Sequence, residues 1–299
     1  MKLDGIAAFV ATAEANSISA ASRRLGLAKS VVSERLAELE RLLGTRLIQR
    51  TTRKQSLTES GRLFLPRAQR ILREAEEASA ELAARSGRLA GPLRLSAPVS
   101  FGILHLAPAL NAFLDEHREV EVSLELDDRF VDAAAEGFDA VLRHGAVGDT
   151  RQIAKRLAVS RRLLVASPAY LEKHGKPRSL AELAQHPGIL YSNREGDWRF
   201  ATEDGWSVVR PKAALRVNNG IVMRDAAIAG LGITLLPTFF IDGSLKDGAL
   251  VPLDVGAESE GAELFITYAR DHGATAKIRA LAESLKRSFG DPPYWDRWD

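Results

Sequence analysis

The sequence contains no cysteine, which excludes disulfide bonds, thiolate zinc sites, iron–sulfur clusters and a cysteine nucleophile. No apolar run approaches the roughly 18 residues that a membrane-spanning helix needs. The first residues include Asp4 and Glu14 and lack the apolar segment of a secretory signal. We therefore expect a cytoplasmic protein that has no membrane partner.

Motifs for catalysis and cofactor binding are also missing. The segment GLGITLLP contains Gly-x-Gly, but it follows a helix-like run, whereas a dinucleotide site needs a strand, then glycines, then a helix. No Walker motif or Gly-x-Ser-x-Gly elbow occurs, and the six histidines form no i, i+4 pair. We therefore expect no enzyme activity and no cofactor or metal.

Positive charge is concentrated at the start of the chain. Residues 1–90 hold 16 Lys and Arg against 10 Asp and Glu, while the remaining residues hold 25 against 29. A basic N-terminal region joined to an acidic remainder favours a polyanion partner for the N-terminal region. A surplus of six positive charges can also be an ordinary solvated face.

The segment SAASRRLGLAKSVVSERLAELE has the spacing of a helix-turn-helix. Ser22 is small where two helices would cross, Gly26 can supply the left-handed turn, and Val32 would anchor the second helix. Two packed helices without a DNA function are the alternative. In the motif, the second helix presents its first residues to the major groove. These residues are Lys29, Ser30, Val31, Ser33, Glu34 and Arg35.

A basic hairpin and a long helix are predicted next. TRLIQRTTRKQSLT reads as a short hairpin with a charged tip, and Thr58 can cap the helix that follows. The helix carries a heptad-like apolar seam, which favours dimerisation over packing on one core because no helix in 1–58 is long enough to cover it. The seam consists of Phe64, Ala68, Ile71, Ala75, Ala78 and Leu82.

From residue 93 onward, strand-like runs alternate with helix-like runs, which is typical of α/β layers. Two predicted helix starts could favour an anion such as a carboxylate through backbone N–H groups and the helix dipole. The first is Ser100, Phe101 and Gly102, and the second is Asn218 and Asn219. Ser100 and Asn219 could instead only cap their helices. His144 would end a strand, where α/β sheets place ligands, or be structural.

The segment from Ser19 to Gly61 resembles the N-terminal domain of the LysR-type transcriptional regulators, with matches at Leu25-Gly26, Leu43-Gly44 and Leu57-Thr58. FVDAAAEGFDAVLRHG and DAAIAGLGITLLP are similar to that family's effector-domain signatures. The resemblance implies an α plus α/β fold. Its parts would be a winged helix-turn-helix, a long linker helix, and a two-lobed effector domain like a periplasmic binding protein.

The resemblance also implies partners and domain bounds. The partners would be double-stranded promoter DNA, a small co-inducer between the lobes, further copies of the chain as a dimer or tetramer, and RNA polymerase. The wing would contain Arg50, Thr51, Thr52 and Arg53. We expect a DNA-binding domain at 1–58, a linker helix at 59–86, a hinge at 87–92 and an effector domain at 93–299. Lobe I would cover about 93–162 and 265–290, and lobe II about 163–264.

Three residues depart from the family pattern. Ala28 stands where Ser or Pro is usual, which predicts that the recognition helix lacks a side-chain cap. Lys29 replaces a frequent Gln, and Glu34 a frequent Arg or Lys. An oligomeric small-molecule binding protein without a DNA function, or an enzyme on the two-lobed fold, remains the alternative.

Overall fold

The computed structural model describes residues 2–50, 55–85, 88–129, 136–145, 151–193, 198–270 and 274–297. The chain divides into two compact units, Met1–Arg88 and Leu89–Asp299. Each unit has its own hydrophobic core.

The N-terminal unit is helical apart from one short hairpin. Its elements are α1 (Leu3–Ala15), α2 (Ile18–Leu25), α3 (Lys29–Leu43), β1 (Ile48–Arg50), β2 (Gln55–Leu57) and α4 (Glu59–Arg85). β1 and β2 pair in antiparallel fashion. The helix-turn-helix, the hairpin and the long helix are thus as predicted.

Local signals fix the ends of these helices. Ser17 accepts a hydrogen bond from the backbone N–H of Ala20 and caps α2. Gly26 and Gly44 end α2 and α3 with φ of 64° and 66°, the left-handed region that glycine adopts without a Cβ clash. Thr58 accepts from the N–H of Gly61 at 2.9 Å and caps α4.

The core of this unit corrects part of the predicted dimer seam. The ring of Phe64 lies 5.6 Å from that of Phe9 in α1, and Ala68 is fully buried in the same cluster, against which Ile71 also packs. α1 therefore covers the first half of the seam, which our reasoning from helix length overlooked. Ala78 is exposed, and the side chain of Leu82 lies outside the described part.

The C-terminal unit contains two five-stranded sheets. The first has the order β4-β3-β5-β14-β6, and the second β11-β8-β12-β7-β13. The strands of the first are β3 (Ala90–Ala97), β4 (Glu119–Leu126), β5 (Ala140–His144), β6 (Gln152–Ser160) and β14 (Ala262–Ala269). Those of the second are β7 (Arg162–Ala166), β8 (Gly188–Tyr191), β11 (Ala213–Val217), β12 (Ile233–Pro237) and β13 (Val251–Pro252). A separate hairpin joins β9 (Arg199–Thr202) to β10 (Gly205–Val208).

Helices flank both sheets. They are α5 (Val99–Phe101), a π-helical turn (Gly102–Leu106), α6 (Ala107–Glu116), α7 (Pro168–His174), α8 (Leu180–Leu183), α9 (Gly220–Ile228), α10 (Asp242–Lys246) and α11 (Ala276–Phe289). Short 3₁₀ turns span Thr238–Phe240 and Tyr294–Asp296. One feature differs from expectation: the first strand of lobe I already begins at Ala90, inside the predicted hinge at 87–92.

The chain crosses between the sheets twice, which produces the two lobes. It enters the second sheet between Ser160 and Arg162 and returns between β13 and β14. Side chains of one strand alternate between two apolar clusters in lobe II, since Leu164 faces one cluster and Val165 the other. The two-lobed α/β fold agrees with the prediction.

Candidate nucleic-acid interface and ligand cavity

The start of α3 has one open face. Val32 and Leu36 are fully buried and orient the helix on the core, so the opposite face of its first turns points outward. Lys29, Ser30 and Glu34 are exposed, while Val31 and Ser33 are half-buried. Five of the six predicted major-groove residues therefore lie on or beside this face.

Arg35, the sixth, is directed elsewhere. Its guanidinium forms an ion pair of 3.0 Å with the carboxylate of Asp4 in α1, and its side chain is 31% exposed. Because this contact holds Arg35 against α1, we do not carry it into the proposed base-reading set.

The first turn of α3 has no side-chain cap. Ala28 occupies the N-cap with an extended backbone and makes no cap hydrogen bond, as its departure from the family pattern predicted. The first backbone N–H groups of the helix are therefore left to solvent or to an anion such as a DNA phosphate.

The wing is fastened to α3 and α4. The carboxylate of Glu40 in α3 accepts hydrogen bonds from the N–H groups of Leu47 at 2.8 Å and Ile48 at 3.0 Å. A Cβ on Gly61 in α4 would lie 2.1 Å from the carbonyl oxygen of Leu47, so only glycine permits this approach. Thr51, Thr52, Arg53 and the side chain of Arg50 lie outside the described residues.

A cavity of about 250 Å³ lies between the two lobes of the C-terminal unit. Lobe I contributes residues after β3 and at the end of β5, and lobe II contributes residues around the start of α9 and the end of β12. Its apolar wall includes Phe101, Tyr191, Met223, Leu235 and Phe239. It is large enough for a small organic molecule.

Four of the six predicted effector residues line the cavity: Ser100, Phe101, His144 and Asn218. The ring of Phe101 is fully buried and packs edge-on against Phe239 and Trp295, so it supports the wall. Gly102 does not line the cavity, because it faces Leu126, whose methyl carbon would lie 2.3 Å from an added Cβ.

The two predicted helix starts meet, but protein side chains already cap both of them. Asn219 accepts hydrogen bonds from the N–H groups of Ile221 and Val222, and its amide donates to the hydroxyl of Ser100 at 3.1 Å. Asp128 accepts from the N–H of Val99 at 2.9 Å. An effector carboxylate at these two helix ends would therefore compete with Asp128 and Asn219, which favours the alternative that Asn219 caps its helix.

His144 lines the cavity with both ring nitrogens buried. Its ring stacks on Phe239 at 4.5 Å and meets Phe101 edge-on at 5.0 Å. Neither nitrogen has a hydrogen-bond partner among the described residues. Burial, together with the neighbouring His105, lowers the pKa of His144 to about 3, so the imidazole is neutral at physiological pH.

Three arginines and two aspartates, Asp127 and Asp128, place charge of both signs in the lining of the cavity. Arg129, Arg143 and Arg162 line it, and Arg162 is 8% exposed. Arg129 pairs with Asp127 at 2.7 Å, while burial lowers the pKa of Arg143. None of these three arginines was among the predicted site residues, although the cation inside the apolar strand AVLRH could have indicated Arg143.

His105 forms a second group that the sequence did not reveal. Its Nδ1 lies 2.6 Å from the hydroxyl of Tyr294, and its Nε2 lies 2.8 Å from the carbonyl oxygen of Phe239. His105 is buried in the π turn of lobe I, and burial lowers its pKa. It thus joins the C-terminal turn to a residue of the cavity wall.

The described ranges contain neither a metal-binding cluster nor a membrane-spanning helix. No group of three or more His, Cys, Asp or Glu residues there is placed to hold a metal ion. In the same ranges, no helix combines the length and the apolar character needed to cross a membrane.

Two family comparisons cover most of the chain. Residues 3–62 match the family described as "Bacterial regulatory helix-turn-helix protein, lysR family". Residues 86–290 match the family described as "LysR substrate binding domain".

Relatives and solved structures agree with these matches. The chain is 32% identical to the HTH-type transcriptional regulator PtxR of Pseudomonas aeruginosa, over 98% of this chain and 95% of that protein. It is similar to the structure of CrgA, a LysR-type transcriptional regulator from Neisseria meningitidis, with TM-score 0.61, 29% identity, and coverage of 96% of this chain and 99% of that one. The Vibrio cholerae virulence activator AphB is similar at TM-score 0.59 and 25% identity, over 96% and 99%.

Proposed function

The chain belongs to the LysR family of transcriptional regulators, and from this membership we propose how its residues carry that function. α3 and the wing bind double-stranded DNA, and a small carboxylate effector in the interlobe cavity modulates promoter binding or activation. The observation that carries the DNA proposal is the open start of α3, where buried Val32 and Leu36 turn Lys29, Ser30 and Glu34 outward.

In this proposal Lys29, Ser30, Val31, Ser33 and Glu34 face the major groove. Lys29 can donate to guanine O6 or N7 or to a phosphate, and Glu34 can accept from a cytosine amino group. Arg50, Thr51, Thr52 and Arg53 remain assigned to the wing, where they contact the backbone or a minor groove. Glu40 fixes the distance between the two contacts by holding the wing on α3.

The effector is proposed to be a carboxylate because three arginines line the cavity, against the two aspartates Asp127 and Asp128. Arg143 and Arg162 supply the charge, and a guanidinium can bind a carboxylate through two parallel hydrogen bonds. Ser100, Asn218 and the neutral imidazole of His144 supply uncharged polar groups. A volume of about 250 Å³ equals that of about eight water molecules, so the acid is small.

The proposed assembly is a homodimer through the second half of α4, and a tetramer of two such dimers. Phe64 and Ala68 pack in the core of their own unit. The proposed dimer contact is therefore formed by Ala75, Ala78 and Leu82. RNA polymerase is a further partner, and the site of action is the cytoplasm, where promoter DNA lies.

The domain bounds are also part of the proposal. They are 1–58 for the DNA-binding domain, 59–86 for the linker helix, 87–92 for the hinge and 93–299 for the effector domain. The first segment of lobe I is better started at 90, because β3 starts at Ala90. Its second segment is better started at 262, because β14 starts at Ala262. A binding protein without a DNA function is disfavoured by the family matches of both units, and an enzyme is disfavoured because the relatives are transcriptional regulators.

A thermal-shift series tests the effector proposal. Propionate, butyrate, benzoate and succinate are added to the full chain, and a bound acid raises the melting temperature because it stabilises only the folded state. At least one acid should stabilise the wild type, and Arg162→Met, which keeps the length of the apolar stem, should abolish that shift. Lys173→Met, at an exposed site in α7, is the control. A shift that persists in Arg162→Met contradicts the proposed anchor.

A further inference from the structure

Tyr294 lies in a short turn that follows the matched family region. The family match ends at residue 290, and the 3₁₀ turn Tyr294–Asp296 comes next. This turn is not a loose tail, since Trp295 is fully buried in the core of lobe I with Phe289. Tyr294 itself is 38% exposed, while its hydroxyl reaches the buried His105.

The two contacts of His105 define its tautomer. The carbonyl oxygen of Phe239 can only accept, so Nε2 of His105 must carry a proton. Burial lowers the pKa of His105, so the ring is neutral and Nδ1 holds a lone pair. The hydroxyl of Tyr294 therefore donates to Nδ1. A hydrogen bond at one ring nitrogen sets which nitrogen holds the proton.

Phe239 makes this arrangement relevant to the cavity. It follows β12 of lobe II, and its ring packs against His144 and Phe101 in the cavity wall. The donor that holds its backbone, His105, belongs to lobe I. The hydrogen bond from His105 thus links the two lobes at the wall of the cavity.

We propose that Tyr294 is a positioning residue for the effector cavity: by donating to Nδ1 it fixes the ring of His105, whose Nε2–H holds the backbone of Phe239 and with it the cavity wall. For the effector, this inference rests on the proposed function of the cavity. The tautomer and the fixed Phe239 segment are independent of that function, because they are properties of the ligand-free chain.

Tyr294→Phe tests the proposal by removing one hydroxyl and keeping the ring. In the wild type, ¹⁵N spectra of the imidazole should show the proton of His105 on Nε2, and in Tyr294→Phe the Nδ1 resonance should shift because that nitrogen loses its hydrogen-bond donor. Amide exchange in Thr238–Ile241 should become about fivefold faster, the size expected for one lost hydrogen bond. Tyr170→Phe is a matched control, because the hydroxyl of Tyr170 meets Nδ1 of His186 at 2.9 Å elsewhere in lobe II.

A rescue variant separates positioning from simple packing. Gln can donate from its amide nitrogen without any choice of tautomer, so His105→Gln in the Tyr294→Phe background should restore exchange in Thr238–Ile241 to within about twofold of wild type. Exchange in Thr238–Ile241 that stays at the wild-type rate in Tyr294→Phe overturns the proposal. So does a double variant that exchanges as fast as Tyr294→Phe alone.

The link to the effector has its own readout. An acid that stabilises the wild type in the thermal-shift series should bind Tyr294→Phe about fivefold more weakly. A shifted Nδ1 resonance and faster exchange with unchanged affinity for that acid overturn only the positioning of the cavity. If none of the four acids binds the wild type, the carboxylate proposal fails, while the ¹⁵N and exchange results still decide the role of Tyr294.

Discussion

The amide of Asn219 donates a hydrogen bond to the hydroxyl of Ser100, which lies 119 residues away in the sequence and in the other lobe. Asn219 also caps α9. The same side chain therefore starts a helix of lobe II and ties that helix to lobe I.

This double role predicts unequal effects for the two partners. Ser100→Ala should lower the free energy of unfolding by about 1 kcal/mol through one lost hydrogen bond. Asn219→Ala should cost about 2 kcal/mol because the cap is lost as well. Urea unfolding followed by tryptophan fluorescence checks this, since all four tryptophans lie in the C-terminal unit. Equal effects of the two variants would contradict the double role.

His144 predicts that acid destabilises the C-terminal unit. Its pKa falls from 6.5 to about 3 on folding, so below pH 6.5 the unfolded chain binds a proton that the folded chain rejects. Its contribution is complete above pH 6.5 and is lost by about 1.4 kcal/mol per unit as the pH falls toward 3. The lowered pKa of His105 acts in the same direction.

His144→Phe keeps an aromatic ring against Phe239 and removes this titration. Urea unfolding at pH 7 and 5.5 should show a fall in stability that is about 1.4 kcal/mol smaller in the variant than in the wild type. Identical falls in both proteins would show that His144 is not the titrating group.

The uncapped start of α3 predicts a stabilising substitution. Ala28→Ser supplies an oxygen that can accept from the second or third N–H of the helix, worth about 1 kcal/mol. Amide exchange at Ser30 and Val31 should slow about fivefold. Ala28→Val offers no acceptor and serves as the control. Equal exchange rates in both variants would mean that the first backbone N–H groups of α3 already have hydrogen-bond acceptors.

A charge placed in the second half of the α4 seam is predicted to change the oligomeric state. Ala78→Arg places a charge on an exposed seam position, whereas Ile71 packs on the core of its own unit and is unsuitable for this test. Light scattering should report a smaller particle for Ala78→Arg. Ser79→Arg adds the same charge at the neighbouring exposed position and should keep the wild-type size. The dimer assignment fails if Ala78→Arg also keeps that size.

Local sequence signals predicted much of the fold. Gly26, Gly44 and Thr58 act where their chemistry predicted, because turns and caps depend on a few neighbouring residues. The prediction that the whole α4 seam serves dimerisation was wrong in part, because Phe64 packs against Phe9 of α1.

The cavity was harder to predict because its contacts join distant residues. Asp128 caps the helix that starts at Val99, and Tyr294 reaches His105 across 189 residues. Neither contact leaves a periodic pattern in the sequence. Ser100, His144 and Asn218 were found because helix starts and strand ends face clefts in α/β folds.

DNA binding as a function of salt tests the central claim most directly. A duplex is selected from a random pool with the full chain, and its affinity is measured from 50 to 200 mM salt. Arg50→Ala and Arg53→Ala should each lower the magnitude of the slope of log affinity against log salt by about 1, as expected for one lost phosphate contact. Lys29→Ala should weaken binding and change the selected sequence. Lys173→Ala, in the other unit, should match the wild type. Wild-type slopes and wild-type selected sequences in all three variants would contradict the account.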